Sequence, residues 1–272
     1  MSKSRLRRLR KKEQVVFKFL LRFIWPAFFA FAVFAFGLFF WGTSRFDPSV
    51  IKIEGNKRVK AEEIVVVVKP FFTDKHMFLF SGNVFIFNHK GARARLMEFF
   101  PRIADASFKV DWHMREVTVL VEERTKTAAI WCGSPAGIDA CYNIDEDGVA
   151  FEEALPSQGL LLLTVKNERD QDLKQIGEAV IDKDFLTQLI RIRDVLKETS
   201  QVGVSRIILE KPDEVVAETL EGWRVIFVDS RPIQDQIVAL REILKAQIPK
   251  EKRAGLDYID LRVSERAYYK YK

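Results

Sequence analysis

Apolar positions follow three different rhythms along this chain. The first is unbroken: no residue from 23 to 44 is charged, and residues 23–42 read FIWPAFFAFAVFAFGLFFWG. Twenty helical residues at ~1.5 Å each reach ~30 Å, the hydrocarbon thickness of a bilayer. The pattern predicts a single transmembrane helix over 23–44. Trp25 and Trp41 would stand near its two interfaces, and Pro26 in its first turn, where a missing N–H costs little. Eleven of the 23 phenylalanines lie between Phe17 and Phe46, more than a buried core helix would gather. A cleavable signal peptide has an apolar region of only ~7–15 residues before a small-residue site. Ala30-Phe31-Ala32 has that form, but it sits inside the run with apolar residues still to come.

The second and third rhythms, of periods two and 3.6, alternate from residue 48 onward. Residues 50–54 alternate and meet Gly55-Asn56, a strand and a turn. Residues 60–68 open with Glu62-Glu63 and become apolar, a short helix whose acidic first turn suits the dipole, ended by Pro70. Its four consecutive valines are β-branched, so this helix rests on context more than on propensity. Residues 77–88 are aromatic and irregular. Residues 90–100 predict a second helix with Ala92, Leu96 and Phe99 on one face, stopped before Pro101. Strands follow over 103–111 and around Val117, Val119 and Val121, joined by the turn His113-Met114-Arg115. The order is β-α-α-β-β.

A strand-rich region follows. Strands are predicted within 127–132 and 141–151, and over 160–165, 204–209, 215–220, 223–228, 258–263 and 266–271. Glu221-Gly222 joins two of them as a hairpin. Phe185, Leu189, Ile192 and Leu196 mark an amphipathic helix over 182–200, and Ile233, Ile237, Leu240, Leu244 and Ile248 mark another. The fold class is α+β: one transmembrane helix, the β-α-α-β-β unit, then a mixed or antiparallel sheet packed by two helices. The segments are a basic tail over 1–22, the span over 23–44, and domains over 48–125 and 126–272.

Charge changes the picture only at the N-terminus. Of 44 Lys and Arg, nine lie in residues 1–22 beside one acid, Glu13, which leaves residues 23–272 at a net −2. A nucleic-acid surface spread over the fold is therefore disfavoured. Nine cations before the span place the tail in the cytoplasm and the bulk of the chain outside. Cys132 and Cys141 are the only cysteines and flank a Gly/Pro-rich loop. An even count in an oxidising compartment favours a disulfide, and two unpaired thiols are the alternative.

No constellation for catalysis stands out. His76, His89 and His113 are scattered, and Ser81 and Ser134 lack a recognisable base. Asp145-Glu146-Asp147 before Gly148 lacks the recurring oxygen ligands of a calcium loop and reads as a turn between strands. No zinc spacing or phosphate loop occurs. The expectation is recognition rather than an enzyme, with no cofactor, metal, nucleic acid or small-molecule substrate. The last segment, residues 266–272, is rich in Tyr and ends the chain, so it reads as a sheet-edge strand open to a partner strand. Lys270 and Lys272 would equally suit an edge blunted by charge.

Taken together, these features resemble the FtsQ/DivIB family of bacterial divisome proteins. VIKIEGNKRVKAEEI at 50–64 is similar to the opening of the family's POTRA domain. FFPRIADASFKVDWHMREVTVLVEERTKTAAIW at 99–131 is similar to its hairpin and Glu-Arg stretch. CYNIDEDGVAF at 141–151 is similar to its Tyr-x-x-Asp-x-x-Gly-x-x-Phe signature, and LDYIDLRVSERAYYK at 256–270 to its last two strands. Lys60 stands where a capping Ser or Thr is usual, and Lys126 where Pro is usual after Glu-Arg. The resemblance implies a membrane-anchored scaffold of the inner membrane at the division septum, linking early division proteins to septal peptidoglycan synthesis. Another POTRA-type chaperone or translocation component is the alternative, and a cell-wall hydrolase or transferase a lesser one. The implied partners are FtsB/FtsL-like coiled-coil proteins, besides membrane lipids around 23–44. The resemblance also implies that a partner strand docks on the last strand while Arg262 meets partner acids. The implied surface comprises Arg262, Val263, Arg266, Tyr268, Tyr269 and Tyr271.

Overall fold

The computed structural model describes residues 22, 24–37, 49–73, 87–111, 113–133, 140–155, 162–169, 176–264 and 266–272. The basic tail before residue 22, the stretch 77–86 with Ser81, His76, and Ser134 with its loop lie outside the described residues.

The expected transmembrane helix over 23–44 is overturned. Among the described residues no helix is long and apolar enough to cross a membrane. The described helical part of that segment is residues 24–37. Crossing a ~30 Å hydrocarbon layer takes about 20 consecutive apolar helical residues. The inner-membrane placement, with tail inside and domains outside at a septum, rested on that span and falls with it.

The chain forms two compact units. One takes in β1 (Val50–Glu54), Lys60–Arg93 and Ser107–Leu120; the other takes in Gly55–Val59, Ala94–Ala106 and Val121–Lys272. After β1 come α1 (Ala61–Val68), a single turn α2 (Pro70–Thr73), α3 (His89–Phe99), β2 (Ile103–Asp111) and β3 (Glu116–Glu123). Lys60 has the extended backbone of an N-cap but makes no side-chain cap, as expected of Lys. Pro70 ends α1 and opens the following turn, where its lack of an N–H is harmless. The three strands order β1-β3-β2, with β1 parallel to β3 from Val50 opposite Glu116 to Glu54 opposite Leu120. Val117, Val119 and Val121 face inward, as their alternation requires. Ala92 and Leu96 are buried, but Phe99 is 59% exposed, against the expected face. Phe99 is the last residue of the helix, and its ring meets Phe100 edge-on.

The second unit is built on a mixed nine-stranded sheet. Its strands are β4 (Ala129–Gly133), β5 (Ala140–Ile144), β6 (Ala150–Ala154), β7 (Leu163–Asn167), β8 (Val204–Leu209), β9 (Glu214–Thr219), β10 (Arg224–Val228), β11 (Leu256–Asp260) and β12 (Tyr268–Tyr271). Their order is β12-β11-β10-β9-β8-β7-β4-β5-β6. Parallel neighbours need a crossover, and two helices supply it. α4 (Lys183–Ser200) joins the parallel pair β7 and β8, and α5 (Ile233–Ala246) joins β10 and β11. Asp182 caps α4, accepting the N–H groups of Asp184 and Phe185 at 3.0 Å each.

One sheet face carries the core. Leu163, Val165, Ile207, Val215, Ala217, Val225, Phe227 and Ile259 meet Leu189, Ile192, Leu196, Ile237, Leu240 and Leu244 of the two helices. Burying each such large side chain contributes roughly 1.5–3 kcal/mol. The other face carries charge. Arg206, Glu218 and Arg224 stand opposite one another on β8, β9 and β10, and Arg206 bonds Glu218 at 2.6 Å.

Candidate functional site

The two ends of the large sheet are treated differently. At one end, β6 starts under cover. Ala150 N–H donates to Glu178 O (3.1 Å), Gly177 N–H to Ala150 O (2.7 Å) and Val180 N–H to Gly148 O (2.9 Å). Arg102 and Arg58 also reach Glu152 of β6. At the other end, among the described residues, β12 pairs with β11 alone, and all four of its residues are exposed.

Hydrogen-bond parity shows what this edge offers. Leu261 N–H donates to Ile226 O (2.9 Å), so Ile259, two residues earlier, also addresses β10. Tyr258 and Asp260 then address β12, opposite Lys270 and Tyr268. From the other side, Lys272 N–H donates inward to Gly255 O (2.8 Å). Both observations leave the N–H and C=O groups of Tyr269 and Tyr271 pointing away from the sheet. Their rings stand on the helix-covered face, opposite the buried Ile259 and Leu256, and meet edge to face at 5.9 Å. Tyr268 and Lys270 fall on the charged face.

Arg262, Val263 and Arg266 were expected on the last two strands, but they lie in the connection between them. β11 stops at Asp260 because the Asp260 carboxylate takes the Arg262 backbone N–H at 3.0 Å and turns the chain. The Arg262 fork is filled from within. Nε and Nη2 donate to the two oxygens of Asp260 at 3.0 and 2.7 Å, and Nη1 donates to Glu214 Oε2 at 2.9 Å. The hydrogen bond to Asp260 raises the Arg262 pKa further above its ordinary range, helped by the charges of Asp260 and Glu214 and opposed by burial. Burial pushes the Asp260 carboxyl up, but the side chain, backbone N–H and charge of Arg262 outweigh it and hold it below its ordinary value. Lys211 also pairs with Glu214 at 3.3 Å, and Arg169 donates to Glu214 O and Asp229.

Val263 and Arg266 are exposed and line a groove of about 340 Å³ against the start of α5, with Arg231, Pro232, Asp235 and Ser264 among its walls. Cys132 and Cys141 form a disulfide between residues directly opposite on β4 and β5. They pack with Ile130, Ala154 and Leu162, far in strand order from β12. Among the described residues no group of three or more His, Cys, Asp or Glu is arranged to hold a metal ion.

Sequence reasoning missed Glu214, Lys211 and Arg169. The Asp260–Arg262 contact had a signal, since residues i and i+2 share a face of an extended chain. Glu214 had none, because it lies 48 residues from Arg262. No protein-family model and no curated protein matches the chain.

Proposed function

We propose that this protein is a divisome scaffold of the FtsQ/DivIB kind, acting by protein–protein contact rather than catalysis. In this reading β12 receives a strand from an FtsB/FtsL-like coiled-coil partner. The supporting observation is the β12 edge, unpaired among the described residues, with outward backbone groups at Tyr269 and Tyr271, set against the covered start of β6. An unpaired strand edge is a template for β-augmentation: main-chain hydrogen bonds supply affinity, and alternate side chains supply specificity. Tyrosines at such an edge add contact area at low cost in side-chain entropy.

The test is retention of candidate coiled-coil partners from the same genome by the full chain. The wild-type protein retains a partner, and a chain lacking residues 266–272 loses it while its far-UV spectrum keeps the helix and sheet signals. Equal retention by the two proteins moves the partner site away from β12.

A further inference from the structure

Arg262 lies two residues past the end of β11, a strand that is two places inside a partner strand added to β12 and two places outside β9. With strands ~4.8 Å apart, the inward and outward reaches are each ~10 Å. The inward reach is in use: the side chain crosses β10 to Glu214 at the start of β9. We propose that Glu214 is a specificity-determining residue of the β12 edge, an internal carboxylate that competes with an acidic partner residue for Arg262. The inference rests on the reading of β12 as a strand-accepting edge.

Three features of the cluster support the competition. Asp260 holds Nε and Nη2 from two residues away in the chain, so its carboxylate stays beside the guanidinium, whose planar fork turns only as one unit. Nη1 is the arm spent on a residue from another strand, and it is the arm a partner must win. The two ends of this contact also differ in exposure. The Glu214 side chain is 10% exposed, whereas that of Arg262 is 42% exposed and open to an incoming group. Lys211, 68% exposed, pairs with the same Glu214 oxygen and would keep that carboxylate balanced after Arg262 turned outward. The two basic and two acidic side chains balance, so an acidic partner gains little from long-range attraction and must exchange one ion pair for another. The cluster thereby selects for a carboxylate placed at the right register and against acidic strands in general.

The experiment uses the full chain and two strand probes, an eight-residue peptide alternating Val and Thr with one central Glu, and the same peptide with Gln in its place. Binding is followed by the amide resonances of Tyr269 and Tyr271 in wild type, Glu214→Gln, Arg262→Gln and the double variant. The expected result is a gain of about threefold for the acidic probe on Glu214→Gln, the size of a part-exposed ion pair, with no gain for the neutral probe. The gain disappears in the Arg262→Gln background. Equal gains for the two probes, or a gain that persists without Arg262, would reveal a general charge effect and overturn the assignment. Binding of both probes to all four proteins with unchanged affinity also overturns it and leaves the edge reading standing. Absence of binding by either probe to any protein removes the edge reading and this inference together.

Discussion

Arg124, one residue beyond β3, makes an ion pair with Asp145 at the head of the β5–β6 turn, and each side chain is only 12% exposed. The same carboxylate accepts the N–H groups of Asp147 (3.0 Å) and Val149 (2.9 Å), while Arg124 Nε donates to Pro101 O (3.2 Å). The acidic run before Gly148 is thus a turn with one buried member. Asp145 shapes it, and Asp147 stays exposed with Lys183 at 2.6 Å.

Replacing Asp145 with Asn keeps an oxygen for the turn but leaves the Arg124 charge buried without a counter-ion. The expected loss is about 3 kcal/mol, the usual cost of breaking one side of a buried pair. Urea unfolding followed by tryptophan fluorescence measures it. A loss under about 1 kcal/mol would show that the Arg124 charge is relieved by other groups.

Glu123 gives the fold a dependence on acid. Its carboxylate accepts the N–H groups of Lys57 (2.6 Å), Arg58 (3.0 Å) and Val59 (3.0 Å), fastening the turn after β1. Burial works against the charged form, but the three N–H groups and the charge of Arg102 outweigh it, so the pKa lies below its ordinary 4.5. A folded pKa below the unfolded one contributes stability that is present above the unfolded value and is lost as pH falls through the folded value. Stability is therefore expected to fall as pH drops below about 4.5, and Glu123→Gln to flatten that part of the profile while lowering stability at neutral pH. Unfolding midpoints collected from pH 6 to pH 3 check this. Parallel profiles for the two proteins would assign the acid sensitivity to other carboxylates.

The Cys132–Cys141 bridge joins residues that the β4–β5 ladder already sets opposite each other, so the native register does not need it. Its stabilisation comes chiefly from the unfolded chain. Closing a loop with a sequence separation of 9 is worth about 2–3 kcal/mol in the chain-entropy account. The double variant Cys132→Ala, Cys141→Ala is expected to fold and to lose that amount. A reductant should lower the wild-type midpoint equally and leave the double variant unmoved. A double variant without native spectra would show that the bridge is needed to reach the fold.

Proline substitutions test the parity of β12. The Tyr269 N–H points outward, so Tyr269→Pro is expected to leave the sheet folded and to remove strand addition. The Tyr268 N–H addresses Asp260, so Tyr268→Pro breaks the β11–β12 ladder and frees the end of the chain. Amide exchange at Lys270 separates the two: protection persists in the first variant and is lost in the second. The reverse pattern would place the outward groups on Tyr268 and Lys270.

Local periodicity by itself determined most elements of this protein. The strand at Val204–Leu209, the hairpin turn at Glu221-Gly222, and the helices carrying Leu189, Ile192 and Leu196 or Ile237, Leu240 and Leu244 all follow from residues a few positions apart. Repeats of two and 3.6 are properties of the backbone, and the side chains need only agree with them. Tertiary structure decided what local pattern could not carry. It left Phe99 exposed at the end of α3 and made β4, β7 and β8 consecutive parallel neighbours. It also brought Glu214 to Arg262. A strand's sequence records which face it buries, whereas its neighbours are chosen by packing over tens of residues, so the ion cluster beside the β12 edge exists only once β9, β10 and β11 lie side by side.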